Sequence, residues 1–388
     1  MSILTLNAGS ASLKFSVYDR TGATERLRGH LDGVGAQAKL FVSTRGEAMR
    51  ERELPGREAG HAGATQAALA VAADEIGETV HAVGHRIVHG GADFDRATVL
   101  DETVMARLRA FTPMAPLHQP HNLDGVDAAR AAFPDALQIG AFDTAFHRGH
   151  PFENDVFALP RRYYEQGVRR YGFHGLSYAY LCERLAELDP DAERAVIAHL
   201  GSGASMCAIR EGRSVGSTMG FSALDGLPMA TRCGQLDPGV MLYLMAEDGL
   251  DAEALTDLLY KESGLKGLSG VSGDMRELEA SHAPEAREAI DYFVFRCRRE
   301  LAAMTAVLGG LDAVVFSGGV GENSALIRER IMAGFEYLDL APDPDANADA
   351  SGDAVRVSAP GSRVRAWMIR TDEERIIARD TARRLQER

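Results

Sequence analysis

The chain has 388 residues, of which 45% are hydrophobic and 25% charged, and its formal net charge is −14. This length exceeds what one ordinary hydrophobic core organises, so it predicts two domains. The acidic balance argues against nucleic acid or an anionic membrane surface as a partner, because both require a basic face. An anionic small molecule would have to be bound by individual arginine or lysine side chains.

The four cysteines are far apart in the sequence and form no Cys-x-x-Cys pair; they are Cys182, Cys207, Cys233 and Cys297. This usage argues against a zinc knuckle and predicts a reducing compartment. The first residues contain no basic segment followed by a long apolar stretch, and no apolar run reaches membrane-spanning length. We therefore expect a cytoplasmic protein with no membrane partner.

Two similar segments occupy corresponding places in the two halves of the chain, at residues 3–17 and 196–209. In each segment a turn of Gly, Ala and Ser separates two apolar runs, which is typical of a β-hairpin. Glycine lets an oxyanion approach the backbone, and serine hydroxyls and amide groups donate to it. Most single Gly/Ser turns only reverse the chain, but two at matching places predict a duplicated fold that holds a polyphosphate from both sides.

The first half of the sequence alternates between strand and helix patterns. It predicts a strand-rich segment to about residue 54, a helix at 64–76, an apolar strand at 80–88, helices at 102–111 and 123–133, and a buried strand at 136–142. Strands that alternate with helices favour an α/β sheet whose ligand crevice lies at the carboxyl ends of the strands.

The second half begins near residue 151 and repeats this scheme with a helix-rich insertion. It predicts a hairpin at 195–210, helices at 238–247, 252–263 and 284–308, a strand at 313–317, a helix at 324–333, an exposed acid-rich stretch at 343–353, a strand at 364–370 and a charged helix from 372 onward. The apolar residues of this last helix are expected to pack against the first domain; they are Ile376, Ile377, Ala378 and Leu385.

Four histidines and an arginine in the first half have a glycine-rich or loop-like context. Arg86 ends a strand among glycine and histidine, where it could bind a carboxylate or phosphate at two points or pair with a neighbouring acid. His85 and His89 have a two-histidine metal spacing, but no glutamate lies between them and their flanks predict a strand, which disfavours zinc. His118, and with it His121, lies in a proline-containing loop and either packs or donates to a ligand.

Three further charged positions stand out. Asp143 directly follows a hydrophobic strand, so its carboxylate needs a partner: a helix N-terminus, a nucleophile to orient, or a Mg²⁺-bound water. His174 lies in a loop between glycines and aromatics. Arg232 lies among Gly, Thr and Cys, where solvation or ion pairing explains a cation poorly.

A glycine-rich segment at residues 318–323 follows a strand and precedes a helix, as a nucleotide-contacting loop does. It lacks the spacing of a dinucleotide fingerprint, and the chain contains no Gly-x-x-x-x-Gly-Lys-Ser/Thr motif. By itself this segment is weak evidence for a nucleotide site.

Taken in order, these segments resemble the acetate kinase family, within the superfamily of acetate and sugar kinases, actin and Hsp70. The resemblance runs nearly end to end. It rests on residues 7–15 (Asn-Ala-Gly-Ser-Ala-Ser-Leu-Lys-Phe), 84–91 (Gly-His-Arg-Ile-Val-His-Gly-Gly), 115–118 (Ala-Pro-Leu-His), 142–147 (Phe-Asp-Thr-Ala-Phe-His), 171–175 (Tyr-Gly-Phe-His-Gly), 199–201 (His-Leu-Gly), 229–234 (Met-Ala-Thr-Arg-Cys-Gly), 321–323 (Gly-Glu-Asn) and 371–374 (Thr-Asp-Glu-Glu).

The resemblance implies reversible transfer of the ATP γ-phosphoryl group to a short-chain carboxylate, giving an acyl phosphate and ADP. It implies duplicated ribonuclease-H-like (actin-like ATPase) α/β domains with a cleft between them, dependence on Mg²⁺ or on Mn²⁺ in its place, and a homodimer. The expected domains are residues 1–148 with 373–388, and residues 149–372, which bind the nucleotide and dimerise.

The resemblance also assigns roles to individual residues. The catalytic positions fall on Asp143, His174 and Arg232, and the metal positions on Asn7 and Glu373. Arg86 is the residue expected to bind the carboxylate of the substrate. The residues expected to contact the rest of the acid are Val88, Leu117, His118 and Phe173. The residues expected to bind the nucleotide and its phosphates are Lys14, His199, Leu200, Gly201, Ser202, Gly203, Asp274, Met275, Arg276, Gly319, Val320, Gly321, Glu322 and Asn323.

The chain departs from the family pattern at a few positions. Ser202 replaces an asparagine, so one nucleotide or phosphate contact is shorter or lost, and Ala223 replaces a proline beside the alkyl pocket, which removes bulk. Arg370 and Asp372 replace a proline and an asparagine near the metal glutamate, and Ala11 replaces a serine.

These departures keep a propionate or butyrate kinase as the alternative to an acetate kinase. A nucleotide-gated binding protein of the actin and Hsp70 kind is a remote alternative, because it would not need the retained Arg86, Asp143, His174 and Arg232. A zinc hydrolase built on the histidines is more distant still.

Overall fold

The computed structural model describes residues 2–8, 12–32, 39–44, 47–52, 61–77 and 79–387. The chain divides into two compact units. Unit 1 comprises Met1–Arg148 with Asp372–Arg388, and unit 2 comprises Gly149–Thr371. The glycine and serine turn at residues 9–11, with the predicted departure at Ala11, lies outside the described residues. Within the described chain, every helix is too short or too polar to cross a membrane.

Unit 1 is built on an eight-stranded sheet with the strand order β5-β4-β3-β2-β1-β6-β8-β7. Its strands are β1 (Ser2–Ala8), β2 (Ser12–Asp19), β3 (Glu25–Asp32), β4 (Lys39–Thr44), β5 (Arg50–Arg52), β6 (Val80–Ile87), β7 (Thr98–Val99) and β8 (Leu137–Phe142). β1 pairs antiparallel with β2 and parallel with β6, and β6 pairs parallel with β8. The carboxyl ends of β1, β6 and β8 therefore lie at one edge of the sheet.

Helices cover both faces of this sheet. They are α1 (His61–Ile76), α2 (Glu102–Arg109), α3 (Gln119–Ala132) and the C-terminal helix (Glu373–Gln386). Leu69 of α1 and Ala129 of α3 pack into one core with β1 and β2. On the other side Ala378 and Ala382 of the C-terminal helix pack with Ile3 of β1. Ile376 and Ile377 are also buried and Leu385 joins the same core, which confirms the predicted packing of this helix.

Unit 2 repeats the arrangement in a six-stranded sheet ordered β11-β10-β9-β12-β14-β13. Its strands are β9 (Arg194–Leu200), β10 (Ala204–Arg210), β11 (Arg213–Ser217), β12 (Ala313–Ser317), β13 (Ala354–Arg356) and β14 (Arg365–Ile369). β9 pairs antiparallel with β10 and parallel with β12, and β12 pairs parallel with β14. β9 thus has the same neighbours as β1, which confirms the predicted duplication.

The helices of unit 2 either precede β9 or connect the later strands. They are α4 (Phe152–Asp155), α5 (Arg161–Glu165), α6 (Gly175–Leu188), α7 (Pro238–Glu247), α8 (Ala252–Asp257), α9 (Gly264–Ser269), α10 (Met275–Ala280), α11 (Pro284–Leu308), α12 (Gly318–Asn323), α13 (Ala325–Met332) and α14 (Pro344–Ala348). A π-helical turn, Leu258–Glu262, follows α8.

Several helices of the structure differ from the sequence prediction. α3 begins at Gln119 and not at residue 123, because Pro120 occupies its first turn, where a missing N–H costs nothing. α12 occupies the predicted glycine loop at 318–323. α14 interrupts the acid-rich stretch at 343–353: Asp343 accepts a hydrogen bond from the Ala346 amide at its N-terminus, and Asn347 is buried.

α6 had no counterpart among the predicted elements, which placed only a loop at residues 171–177. Its N-cap residue, His174, has a φ of 58°, in the left-handed region. A histidine in this region between two glycines does not resemble a helix start, because N-caps are usually Ser, Thr, Asp or Asn in extended conformation.

Candidate functional site

Arg86 and Asp143 meet at the carboxyl edge of the unit 1 sheet. Arg86 is the penultimate residue of β6 and Asp143 directly follows β8, so the parallel pairing of these strands places them side by side. The Arg86 Nη2 donates to Asp143 Oδ2 at 2.7 Å and its Nε donates to Oδ1 at 3.1 Å. The pairing with a neighbouring acid that the sequence allowed is therefore present.

Neighbouring carboxylates stabilise the positive charge of Arg86. Burial opposes the charge, but the Asp143 and Glu373 carboxylates outweigh it and raise the pKa of Arg86. Asp143 is 1% exposed, so the carboxylate is held away from solvent as well. The result is a fixed, permanently charged guanidinium at the edge of the sheet.

Asn7, Glu373 and Glu374 form an oxygen-rich cluster beside this pair. The Asn7 Nδ2 donates to Glu373 Oε2 at 2.9 Å and to Glu374 Oε1 at 3.1 Å. The Asn7 Oδ1 accepts from the Arg86 Nη1 at 3.1 Å, and that nitrogen lies 3.5 Å from Glu373 Oε2. Sequence reasoning selected Asn7 and Glu373 but missed Glu374, although it is adjacent to Glu373 in the first turn of the C-terminal helix.

Burial raises the pKa of Glu374, while the nearby charge of Lys14 opposes that rise. Lys14 is exposed on β2, where its backbone pairs with Asn7 of β1. Neighbouring carboxylates and an amide oxygen are the donors that Mg²⁺ accepts. Among the described residues no group of three or more His, Cys, Asp or Glu could cage a metal ion. The two carboxylates and the Asn7 amide oxygen match Mg²⁺ in donor type.

Two amide side chains of α3 hold the strand end that follows Arg86. The Asn122 Oδ1 accepts from the Val88 amide at 2.9 Å, and its Nδ2 donates to the carbonyl of Ala8 at 2.9 Å. Gln119 exchanges two hydrogen bonds with the backbone of His89. Sequence reasoning missed both residues, which flank the histidines that it selected; their spacing of three residues at a helix start was the available signal.

The predicted substrate-contacting residues of unit 1 lie in this neighbourhood. Val88 is buried, Leu117 is half-buried, and His118 is the N-cap residue of α3. His85 belongs instead to the core: its Nε2 lies 2.8 Å from the Gln138 amide oxygen, and burial lowers its pKa to about 4. Burial also lowers the pKa of His89, to about 3.

In unit 2, His174 and Arg232 converge on the turn between β9 and β10. A Cβ atom added to Gly203 of that turn would lie 2.9 Å from Arg232 Nη2 and 3.3 Å from His174 Nε2. A side chain at this position would displace the Arg232 guanidinium from its place above the turn. Sequence reasoning selected all three residues, and the structure brings them together with Phe173, which is buried beside His174 in the chain.

Arg232 is half-buried, and burial lowers its pKa. Its Nη1 donates to the carbonyl of Ala223 at 2.7 Å, which orients the guanidinium. Within the part of the chain that the structure describes, no carboxylate lies within ion-pairing distance of Arg232. A desolvated cation oriented by a carbonyl is a strong binding group for an anion.

His199 of β9 stacks on His174, with ring centroids 4.4 Å apart and an interplanar angle of 27°. Its Nδ1 lies 2.8 Å from the Ser177 hydroxyl, which also lies 2.8 Å from the Thr371 hydroxyl. The ring of His199 is thus held by α6, and it limits how far His174 can tilt.

A cavity of about 700 Å³ in unit 2 has the size of a small-molecule site. It brings together many of the predicted nucleotide residues, namely Gly201, Ser202, Asp274, Met275, Arg276, Gly319, Val320 and Asn323. Sequence reasoning missed further lining residues, among them Ala230, Leu265, Gly273 and Phe293. His199, Leu200, Gly203, Gly321 and Glu322 were also predicted and are not among the lining residues.

The Glu322 side chain is directed into the fold. Its Oε1 accepts from the amides of Gly318 at 3.0 Å and Thr371 at 3.2 Å. Arg328 donates to the carbonyls of Gly321 and Glu322 from its Nη1, at 3.0 and 2.9 Å. These bonds fix the position of α12, whose Gly319, Val320 and Asn323 line the cavity.

Comparisons with known proteins find the same family along nearly the whole chain. The profile of the Acetokinase family matches residues 2–379. The acetate kinase of Methylocella silvestris is 50% identical over 394 residues, which cover 98% of this chain and 96% of the relative. The acetate kinase of Nitrobacter hamburgensis is 48% identical over 397 residues, covering 100% and 97%.

Two solved structures are similar along their full length. The acetate kinase of Porphyromonas gingivalis matches with a TM-score of 0.87 and 35% identity, covering 99% of both chains. The propionate kinase of Francisella tularensis matches with a TM-score of 0.90 and 31% identity, covering 98% of this chain and 99% of the other.

Proposed function

Because the chain belongs to the acetokinase family, we propose that it transfers the γ-phosphoryl group of ATP reversibly to acetate, with acetyl phosphate and ADP as products. The observation that carries the proposal is the convergence of His174 and Arg232 over Gly203. Family membership argues against the two alternatives from other classes, a binding protein and a zinc hydrolase.

Phosphoryl transfer needs little covalent assistance from the protein. It needs in-line positioning and compensation of the charge on the equatorial phosphoryl oxygens. Arg232 supplies a guanidinium that Ala223 orients and that no described carboxylate neutralises. His174 supplies a ring nitrogen on the same side of Gly203. Both groups are partly withdrawn from water, which strengthens their interaction with a developing charge.

Unit 1 supplies the groups proposed for the carboxylate. Asp143 accepts from Nε and Nη2 on one side of the Arg86 guanidinium, so the carboxylate of the substrate is proposed to bind at the Nη1–Nη2 edge. Asp143 acts through Arg86, because it occupies one side of the guanidinium and fixes its orientation. Val88, whose amide is held by Asn122, contributes apolar surface for the methyl group.

Glu373, Glu374 and Asn7 are the residues proposed to hold Mg²⁺, or Mn²⁺ in its place. When bound, the ion would neutralise negative charge on the phosphates. Asn7 orients both carboxylates, since its Nδ2 donates to each of them. The cavity lined by Gly201, Ser202 and α12 is proposed to hold the nucleotide.

We further propose a homodimer in the cytoplasm, formed through α7. Within α7 no residue is buried, and five of its apolar side chains face solvent: Val240, Met241, Leu242, Tyr243 and Met245. Leu242 is 67% exposed and Tyr243 is 61% exposed, and a second copy would cover them. The four cysteines are free thiols, which suits a reducing compartment. Light scattering of the wild type and of Leu242→Glu tests the dimer.

A propionate or butyrate kinase is the second candidate. Ala223, where the family pattern has proline, is the residue whose carbonyl holds Arg232. A smaller side chain there leaves room for a longer acyl group. One methylene in an apolar pocket is worth about 1–3 kcal/mol, so we expect overlapping specificities.

A hydroxamate assay of acyl phosphate, with ATP, Mg²⁺ and a series of short-chain acids, tests the proposed function. We expect acetyl phosphate from acetate and a loss of about a hundredfold or more in kcat for Arg232→Ala. Unimpaired turnover of Arg232→Ala, or the absence of any acyl phosphate from the folded wild type, would reject the proposal.

A further inference from the structure

A buried chain of hydrogen bonds lies behind His174. The His174 Nδ1 is 2.9 Å from the Ser205 hydroxyl, and the same hydroxyl is 2.5 Å from the phenol oxygen of Tyr178. Ser205 belongs to β10 and Tyr178 to α6, and both are fully buried. His174 is the N-cap residue of α6 and Tyr178 lies in its first turn, where the Tyr178 amide donates to the His174 carbonyl at 3.0 Å, and both side chains meet β10 at Ser205.

The donors and acceptors in this chain can be assigned from their chemistry. A phenol is a stronger donor and a weaker acceptor than an aliphatic hydroxyl, so Tyr178 donates to Ser205 in the 2.5 Å bond. Burial raises the pKa of Tyr178, which keeps its proton in place at every working pH. The single proton of Ser205 is then directed at His174, whose Nδ1 accepts it.

An imidazole whose Nδ1 accepts a hydrogen bond carries its proton on Nε2. The His174 Nε2 faces the space above Gly203, close to the Arg232 Nη2. The stacked ring of His199 restrains the His174 plane. The relay therefore converts His174 into an N–H donor aimed at the space that Arg232 also faces.

We propose that Tyr178 and Ser205 are positioning residues which hold His174 in its Nε2–H tautomer, so that it donates a hydrogen bond to the phosphoryl group during transfer. This inference rests on the proposed function only for that last step. The tautomer itself is a property of the resting protein, and it can be measured without substrate.

The first experiment reads the tautomer directly. Protein labelled with ¹⁵N at histidine is compared with His174→Gln to assign the His174 ring, and two-bond correlations report which ring nitrogen is protonated. We expect protonated Nε2 in the wild type, and a mixture of tautomers in Tyr178→Phe and in Ser205→Ala. A protonated Nδ1 in the wild type, or an unchanged tautomer in both variants, overturns the proposal.

The second experiment tests whether the relay acts through His174. We expect Tyr178→Phe to lower kcat about tenfold or more, while the KM for ATP changes less than twofold. In a His174→Ala background the same change should cost nothing further, because positioning residues and their target are not additive. An equal loss in both backgrounds would assign Tyr178 a general structural role and refute the relay.

Two controls separate the relay from damage to the fold and from failure of the proposed function. Tyr164→Phe removes the same atom from a phenol that donates to Asp155 at 3.0 Å, and we expect kcat within twofold of the wild type. His174→Gln places an amide donor near the Nε2 position, so it should retain more activity than His174→Asn. If His174→Ala keeps full activity while the ¹⁵N spectra show the Nε2–H tautomer, the proposed mechanism fails and the relay stands.

Discussion

The Arg86 guanidinium and the Asp143 carboxylate form a two-point ion pair, with Nη2 to Oδ2 at 2.7 Å and Nε to Oδ1 at 3.1 Å. Two parallel strands create this geometry, because β6 and β8 end at the same edge and deliver one residue each. The remaining nitrogen, Nη1, donates to Asn7 and lies 3.5 Å from Glu373. One arginine thus links the proposed carboxylate site with the proposed metal site.

The Asp143→Asn variant tests whether the negative charge of Asp143 is needed to fix the orientation of the Arg86 guanidinium. The amide retains one acceptor but loses the charge that outweighs the burial of Arg86. We expect kcat to fall about a hundredfold, because the guanidinium is no longer fixed. The free energy of unfolding should fall by about 1–3 kcal/mol.

Asp93→Asn is the matched control for Asp143→Asn, because it removes a carboxylate from the exposed pair with Arg107. It should change the unfolding free energy by less than about 0.5 kcal/mol. Steady-state assays and urea titrations measure both variants. A full kcat for Asp143→Asn would contradict the positioning role of Asp143.

Gly203→Ala tests the convergence of His174 and Arg232. The added methyl group would lie 2.9 Å from Arg232 Nη2, so the guanidinium must move. We expect a folded protein whose kcat is lowered at least tenfold. Gly361→Ala is the control, because a Cβ at residue 361 meets no atom within 4 Å. Equal kcat values in the two variants would show that the close approach over Gly203 is irrelevant to catalysis.

The pattern of polar residues after apolar runs was enough to predict the sheet edge of unit 1. Arg86 lies near the end of one apolar strand and Asp143 directly follows another, and the parallel order of α/β sheets brings the ends of these strands together. The duplicated hairpin likewise predicted the equivalent places of β1 and β9. The family resemblance, now confirmed, implied catalytic roles for both His174 and Arg232, whereas local patterns only marked each of them as an unusual position.

Other features depend on tertiary geometry that no local pattern contains. Asn122 bonds to Ala8 and Val88, which are 114 and 34 residues away in the sequence. The hydrogen-bond relay could not be predicted for the same reason. Local sequence does not distinguish Ser205 from any other small strand residue that points into the sheet interior. α6 was missed because its start at His174 has a left-handed backbone, which tertiary contacts and not helix propensity support.

Ala223→Pro should restore the family pattern beside the alkyl pocket. The carbonyl that binds Arg232 is retained, while the added ring reduces the space for the acyl chain. We expect kcat/KM for acetate to change little, and the ratio of kcat/KM for butyrate to that for acetate to fall about tenfold. Parallel assays with acetate, propionate and butyrate measure these ratios. An unchanged ratio would remove Ala223 from the determinants of specificity.

Glu374→Gln should weaken the binding of Mg²⁺. The variant keeps the acceptor for the Asn7 Nδ2 but removes one negative charge from the oxygen cluster. We expect the Mg²⁺ concentration at half-maximal activity to rise about tenfold, with a smaller effect on the KM for acetate. Glu387→Gln, at the far end of the same helix, should have no such effect. A Mg²⁺ dependence equal to that of the wild type would exclude Glu374 from the metal site.

The stability of the protein should decline in weak acid because of His85. Burial lowers the pKa of His85 to about 4 in the folded state, whereas an unfolded histidine titrates near 6.5. Between these values the unfolded chain binds a proton that the folded chain does not. The contribution of His85 to the free energy of unfolding is therefore fully present above about pH 6.5, and it is lost as the pH falls toward 4. The loss amounts to about 3 kcal/mol, from roughly 1.4 kcal/mol per pKa unit.

Urea titrations of the wild type and of His85→Gln, from pH 7.5 down to pH 4.5, measure this dependence. The variant should be less stable at pH 7.5, because the 2.8 Å bond to Gln138 is disturbed. Its free energy of unfolding should nevertheless fall less steeply as the pH is lowered, since the variant lacks the buried imidazole that titrates. His89, whose pKa burial lowers to about 3, remains in the variant and contributes to the slope that is left. Identical slopes for the two proteins would show that His85 does not titrate on unfolding.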